Sequence, residues 1–202
     1  MIKKKRVATL CKAQKRVIMQ TTSDNTQWIG DGGAMYILAG IEPMSAESLA
    51  SMLDYSDKDF LTIKFAEIDA PEELYSDNAN DIQIKEPPKR VIIKNAEYLI
   101  FETATELIFI NGEYLKPIVT DDQTTYHFRT VPNGQECLCV KKGLLPEAVI
   151  LGLNFNDQAL NDWFSEIANT VSSVQAKYMT RRENSWSEQD LQIAFEEELN
   201  ES

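Results

Sequence analysis

A single histidine, His127, and three cysteines in 202 residues leave this sequence poor in the side chains that most often carry chemistry. One imidazole leaves little from which to build a Ser-His-Asp triad, and no serine stands in a nucleophile elbow. Cys11, Cys137 and Cys139 form an odd set without framework spacing, which suits a reducing compartment rather than a disulfide scaffold. Long hydrophobic runs are missing as well. After Lys3, Lys4, Lys5 and Arg6 the apolar stretch extends only from Val7 to Cys11, against the ~7–15 residues of a signal peptide and the ~20 of a membrane span. The expectation is a cytoplasmic protein with no membrane segment.

The remainder is ordinary for a globular chain, 43% hydrophobic and 26% charged, of a length that suits one medium domain or two small ones. Charge, however, is segregated. Residues 1–16 hold Lys3, Lys4, Lys5, Arg6, Lys12, Lys15 and Arg16 with no acid; the other residues hold 13 bases and 32 acids, which is −19 of a net −12. Most of such a surface repels nucleic acid, and only a local basic patch holds phosphate. The plainer reading of the same pattern is a solvated face with a basic terminus.

Apolar spacing sets the expected elements. Val7–Cys11 and Val17–Met19, separated by Lys12–Arg16, read as an opening hairpin; Thr26–Ile29 reads as a third strand, ending in the turn Gly30-Asp31-Gly32-Gly33. Ser45 looks like the N-cap of a helix over about 46–55, with Leu49, Met52 and Leu53 at helical spacing. Leu61–Ile68 alternates like a half-buried strand. Residues 69–88, acidic and containing Pro71, Pro87 and Pro88, read as a linker. Arg90–Ile93, Tyr98–Phe101 and Leu107–Ile110 suggest a meander, Tyr126–Val131 and Glu136–Val140 a hairpin around Asn133-Gly134 with a two-residue type I′ turn, and Ala148–Leu153 a last strand. Leu160, Trp163, Phe164, Ile167, Val171, Val174 and Tyr178 fall on one helical face, expected to pack on the sheet. A final acidic helix over 185–200 follows from Ser187 and Asp190 as a weak capping box, Trp186 and Leu191 as a staple, and a stripe of Leu191, Ala194, Phe195 and Leu199.

The fold class expected is therefore α+β: mostly antiparallel sheets with a few packed helices and a helical C-terminus. Its parts are a β-rich subdomain over 1–68 with one helix, the linker 69–88, a meander plus amphipathic helix over 89–180, and the helix 185–200. Lys5-Arg6-Val7 and Lys89-Arg90-Val91 each precede strand runs of similar order, so a duplicated β-β-β-α unit is one reading of the halves and coincidence the other.

Three constellations invite chemistry, and each has a plainer explanation. Consecutive amides at Gly30–Gly33 would cradle an anion, but no Lys-Ser or Lys-Thr follows and Asp31 would repel phosphate; a strand-to-helix turn is the better expectation. Cys11, His127, Cys137 and Cys139 supply four zinc-type ligands without ligand spacing, so core thiols and a hairpin histidine are expected and no metal or other cofactor is called for. Asp121-Asp122, and Asp77 with Asp81, read as solvated loop charge; the loop around Asp77 lacks the glycine and distal glutamate of a calcium site.

Lys5-Arg6-Val7-Ala8-Thr9-Leu10-Cys11-Lys12, then Gln27-Trp28-Ile29-Gly30-Asp31-Gly32, and later Lys141-Lys142-Gly143-Leu144-Leu145-Pro146-Glu147-Ala148-Val149-Ile150, resemble small uncharacterised proteins of phages and integrated elements of Gram-positive bacteria. The order of strands, of a short helix after Ile108-Phe109-Ile110-Asn111, and of a hairpin and strand is also similar to a sliding-clamp subunit. That second resemblance implies an acidic protein with basic inner helices. Its counterparts here, at 35–39 and 114–119, are short, with Lys116 their only cation.

Two functions are carried forward, neither of them enzymatic. One is a clamp-like accessory factor of phage DNA replication or recombination, a homo-oligomer touching DNA through Lys3, Lys4, Lys5, Arg6, Lys12, Lys15, Arg16, Lys89 and Arg90. The other is an acidic inhibitor of a host nucleic-acid-binding defence protein. In either, Trp186, Leu191, Phe195 and Leu199 are expected to bind a protein partner, as an amphipathic helix laid in a basic-rimmed groove; the plainer reading is that the same stripe packs on the protein's own sheet.

Overall fold

A computed structural model describes residues 2–69, 71–93, 96–102, 107–131, 134–153, 165 and 167–177. Two compact units divide the chain, Met1–Leu153 and Asn154–Ser202. The fold is α+β with mostly antiparallel sheets, and no helix among the described residues is long and apolar enough to cross a membrane.

The first unit opens with helix α1 (Lys4–Ala13), not the first strand of a hairpin. Val7, Ala8 and Cys11 are its buried residues, and their one-and-three spacing belongs to a helix; Ala, Leu and Lys are also good helix formers. Ile2 bridges Ile118 and the Lys3 amide donates to the Pro117 carbonyl, so the helix starts from a fixed point. Lys15, at φ 51°, then reverses the chain into β1 (Arg16–Thr21).

Strands β2 (Gln27–Gly30) and β3 (Ala34–Ile37) continue antiparallel. The glycine-rich turn thus joins strand to strand rather than strand to helix, and 35–39 is not helical. Helix α2 (Ala46–Met52) is capped by the Ser45 hydroxyl as expected, though it is shorter. Helix α3 (Asp57–Thr62) takes the first two residues of the strand expected at Leu61–Ile68. Its capping box, Ser56 with Asp59, outweighs the local alternation and leaves Leu61 84% exposed. Strand β4 (Lys64–Glu67) then pairs parallel with β1.

Residues 69–88 are not a linker. A 3-10 turn spans Glu72–Leu74, and β5 (Ile82–Ile84) enters the main sheet beside β9 (Thr124–Thr130). β6 (Lys89–Ile93), β7 (Ala96–Glu102) and β8 (Leu107–Asn111) form the expected meander as a separate three-stranded sheet. A 3-10 turn at Gly112–Leu115, the remnant of the helix expected over 114–119, leads toward β9, β10 (Glu136–Lys142) and β11 (Leu145–Leu151). The β9–β10 hairpin forms, but its loop is longer than two residues: Val131 N–H donates to the Gln135 carbonyl, and Gly134 N–H to the Val131 carbonyl, with Gly134 at φ 79°. That is the three-residue loop with glycine in the left-handed region.

The eight-stranded sheet runs β4-β1-β2-β3-β11-β10-β9-β5. Because β3 pairs with β11, the expected subdomains 1–68 and 89–180 share one sheet up to Leu153, and the C-terminal amphipathic helix belongs to the second unit. Both halves do contain three antiparallel strands followed by a helical turn. Their basic triplets do not correspond, since Lys5-Arg6-Val7 lies in α1 and Lys89-Arg90-Val91 in β6.

Alternation gives the large sheet two buried faces. On the first, Val17, Ile29, Tyr36, Ile150, Leu138 and Phe128 meet α1, α2 and the small sheet through Val7, Cys11, Leu49, Phe101 and Ile110. On the second, Trp28, Met35, Cys137 and Val149 lie under the segment that carries Tyr75. Burial of each large apolar side chain contributes about 1.5–3 kcal/mol.

In the second unit, helix α4 covers residues 167–177, within the amphipathic stretch that the spacing predicts. The helix expected at 185–200, with its partner-binding residues Trp186, Leu191, Phe195 and Leu199, lies outside the described residues.

Candidate functional site

The basic N-terminal residues gather on α1 and its two ends. Lys3, Lys4, Lys5, Arg6, Lys12 and Lys15 are all exposed, and the first turn of the helix holds no acid. Cations there oppose the helix macrodipole by some tenths of a kcal/mol each, so helix stability does not explain them. Acidic neighbours temper part of the ridge. Lys12 Nζ lies 2.7 Å from Asp59 Oδ1 and holds that carboxyl below its ordinary value; Lys5 reaches Asp54 at 4.0 Å. Tyr55 anchors the helix by donating its hydroxyl to the Ala8 carbonyl at 2.9 Å.

Arg16 is committed elsewhere. Its Nε donates to the Asp31 carbonyl at 2.8 Å, beside the glycine-rich turn. The turn itself explains why its amides hold no anion: Asp31 Oδ1 accepts from Gly33 N–H at 2.9 Å and Ala34 N–H at 3.1 Å, so the protein's own carboxylate fills the cradle. A Cβ on Gly30 would collide with the Ala34 carbonyl, which requires glycine there. Asp31 is 2% exposed. Its replacement by alanine orphans two amides and is expected to cost about 2–3 kcal/mol in urea unfolding. A loss under ~0.5 kcal/mol would mean that the carboxylate does not hold the turn.

Lys89 and Arg90 do not join the ridge. They open β6 in the small sheet and pair there, Lys89 with Glu102 at 2.8 Å and Arg90 with Glu97 at 3.3 Å. Glu102 also holds the Lys89 ammonium above its ordinary pKa.

The second face of the large sheet carries what sequence reasoning missed. Residues 71–81 cross it as a strap, pinned at one end where Glu72 accepts from the Ser23 amide and hydroxyl at 2.7 and 2.8 Å. Under its middle, Tyr75 packs on Trp28 with ring centroids 4.9 Å apart. At the other end Arg129, 3% exposed, makes a bidentate pair with Asp81 and donates to the Glu73, Leu74 and Ser76 carbonyls. Lys141 Nζ reaches Asp81 Oδ2 at 2.7 Å and also bonds Asp77. Asp77 and Asp81 are thus structural anchors rather than solvated loop charge. The sequence signal was present in alternation, which puts Arg129 and Lys141 on the same face as Cys137 and Cys139. An apolar cavity of 370 Å³ opens beside the strap, lined among others by Ile18, Met35, Leu74, Tyr75, Val149 and Leu151.

The candidate metal ligands are divided between faces. Cys11 lies in the first core and Cys137 in the second, while His127 pairs across from Cys139, and no group of three metal-type ligands occurs among the described residues. Burial, followed by the Lys141 charge, lowers the His127 pKa and favours neutral imidazole.

No protein family, no curated protein and no solved structure matches this chain.

Proposed function

We propose that the protein is a non-catalytic binding factor of phage-type DNA replication or recombination, acting as a clamp-like accessory subunit that touches the nucleic-acid backbone through α1. The observation that carries this reading is the exposed ridge of Lys3, Lys4, Lys5, Arg6, Lys12 and Lys15 on a helix whose first turn has no acid. Residues beyond 16 carry −19, so phosphate is repelled elsewhere and confined to the ridge. Relative to the sequence reading the patch narrows, since Lys89 and Arg90 lie in the small sheet and Arg16 donates to the Asp31 carbonyl beside the glycine-rich turn, while Lys12 stays on α1 with its charge partly offset by Asp59.

The test is DNA binding by fluorescence anisotropy across a salt series. Neutralising Lys3, Lys4, Lys5 and Arg6 together is expected to reduce the log–log salt slope by about three to four, uniformly across sequences, because each lost phosphate contact retains its counterion. Removing cations from a helix start is favourable to the helix, so the variant is expected to fold. An unchanged slope sinks the α1 contact. Absence of DNA binding near physiological salt favours the second reading, an acidic inhibitor that occupies the basic groove of a nucleic-acid-binding defence protein, for which the same −19 is the supporting observation.

A further inference from the structure

Protein interiors are packed closely enough to leave few voids larger than a water molecule. The 370 Å³ cavity beside the strap is an exception, and its size is that of a small-molecule site. Ile18, Ile68 and Leu151 line it together with Leu74 and Tyr75 of the strap; among the described lining residues only Tyr75 and Gln135 have polar side chains. The strap is pinned at both ends, by Glu72 on Ser23 and by Asp81 between Arg129 and Lys141, so the cavity is formed before anything enters it.

Two cations stand at one end of it. Gly32 belongs to the cavity wall, and a Cβ placed on Gly32 would lie 2.8 Å from Arg16 Nη2 and 2.9 Å from Ile18 Cδ1, so the guanidinium and the apolar wall meet there. Strand geometry supplies the second cation. Arg16 and Ile18 alternate with Val17, which lies in the first core, whereas Ile18 packs on the second. β4 runs parallel to β1, with Lys64 paired to Arg16 and Phe65, again on the first core, paired to Val17. Arg16 and Lys64 are therefore neighbours on the face that carries the cavity. Both are exposed, and among the described residues neither has an ion pair. The hydrogen bond from Arg16 Nε to the Asp31 carbonyl, 2.8 Å long, fixes the guanidinium and leaves its two terminal nitrogens, a fork that fits a carboxylate. An apolar cavity with cations at its mouth selects a molecule with an apolar body and one anionic end. We propose that the cavity binds an unbranched aliphatic carboxylate, its chain against Ile18, Ile68 and Leu151 and its carboxylate on Arg16 and Lys64. This inference goes beyond the DNA reading and stands or falls without it.

Calorimetric titration of the full chain with hexanoate, octanoate and decanoate, each below its micelle-forming concentration, is the test. The expected result is binding at one site, with affinity rising about fourfold per added methylene. Octanol and octylammonium keep the chain and lack the carboxylate, and are expected to bind at least about tenfold more weakly than octanoate. Arg16→Gln is expected to lose that factor for octanoate and to leave the octanol affinity unchanged. Ile68→Trp, at a residue 37% exposed, is expected to fill the cavity and abolish binding of all three acids without changing the melting temperature. No saturable binding up to about 5 mM octanoate, the result if a protein segment already fills the cavity, overturns the proposal. Equal affinities for octanoate, octanol and octylammonium also overturn it, as does octanoate binding that Ile68→Trp leaves intact. Should Ile68→Trp fail to fold, Arg16→Gln decides alone, and an unchanged octanoate affinity there overturns the proposal.

Discussion

Replacing Asp81 with alanine is expected to lower stability by about 3–5 kcal/mol, a fall in melting temperature on the order of 6–20 °C. The reason lies in what remains. The Asp81 side chain is 2% exposed between Arg129 and Lys141, themselves 3% and 5% exposed at their side chains. With the carboxylate gone, two buried cations lose their shared counter-charge and the strap loses its anchor. Arg129 would still donate to the carbonyls of Glu73, Leu74 and Ser76, but those neutral acceptors do not offset its charge. The same site fixes an acid limb. Burial by itself would raise the Asp81 carboxyl, yet the bonds from Arg129 and Lys141 prevail and hold it below its ordinary 3.8. A folded-state pKa below the unfolded value means that the stabilisation is complete above about pH 4 and is lost as pH falls through the folded value. Asp81→Asn should therefore flatten the acid limb of a stability–pH profile as well as lower its plateau. Equal melting temperatures, or acid limbs that run parallel, would show that the pair does not hold the strap.

Legibility in the sequence followed how local each signal was. The small-sheet meander and the β9–β10 hairpin were readable because neighbouring strands pair with each other, and the information sits within about twenty residues. Ser45 was readable as a cap for the same reason. α1 was misread because a five-residue apolar run is ambiguous by periodicity, and Lys12–Arg16 resembled a turn. The pairing of β3 with β11 joins positions more than a hundred residues apart, and no local pattern announces it. That pairing turned two expected subdomains into one sheet. For the site, the cluster of cations was legible as composition, but their partners were not. Asp59, Glu97 and Glu102 are distant or cross-strand neighbours, and only the fold separates Lys89 and Arg90 from α1.

The three cysteines are expected to be silent in the native state and fully reactive once the chain unfolds. All three are 0% exposed. Burial, and then the nearby Asp31 carboxylate, pushes the Cys11 thiol up to about 12; burial, and then Cys139, does the same for Cys137. Cys139 rises to about 11, burial outweighing the opposing charge of Arg129. At pH 8 an ordinary thiol is about one-tenth thiolate, whereas these fall to roughly one part in a thousand or less, and the reagent cannot reach them besides. A chromogenic disulfide reagent should therefore count no thiols in buffer and three in concentrated denaturant. Slow native-state labelling then reports the rare open molecules, because closing outpaces reaction. Asp81→Ala provides the cross-check: a loss of about 3–5 kcal/mol should speed labelling of all three thiols by roughly a hundred- to several-thousand-fold. One cysteine that reacts quickly while the circular dichroism stays native would show a local opening at its own position, Cys11 on the buried face of α1 or Cys137 and Cys139 under the strap. It would also end the reading of these residues as inert core.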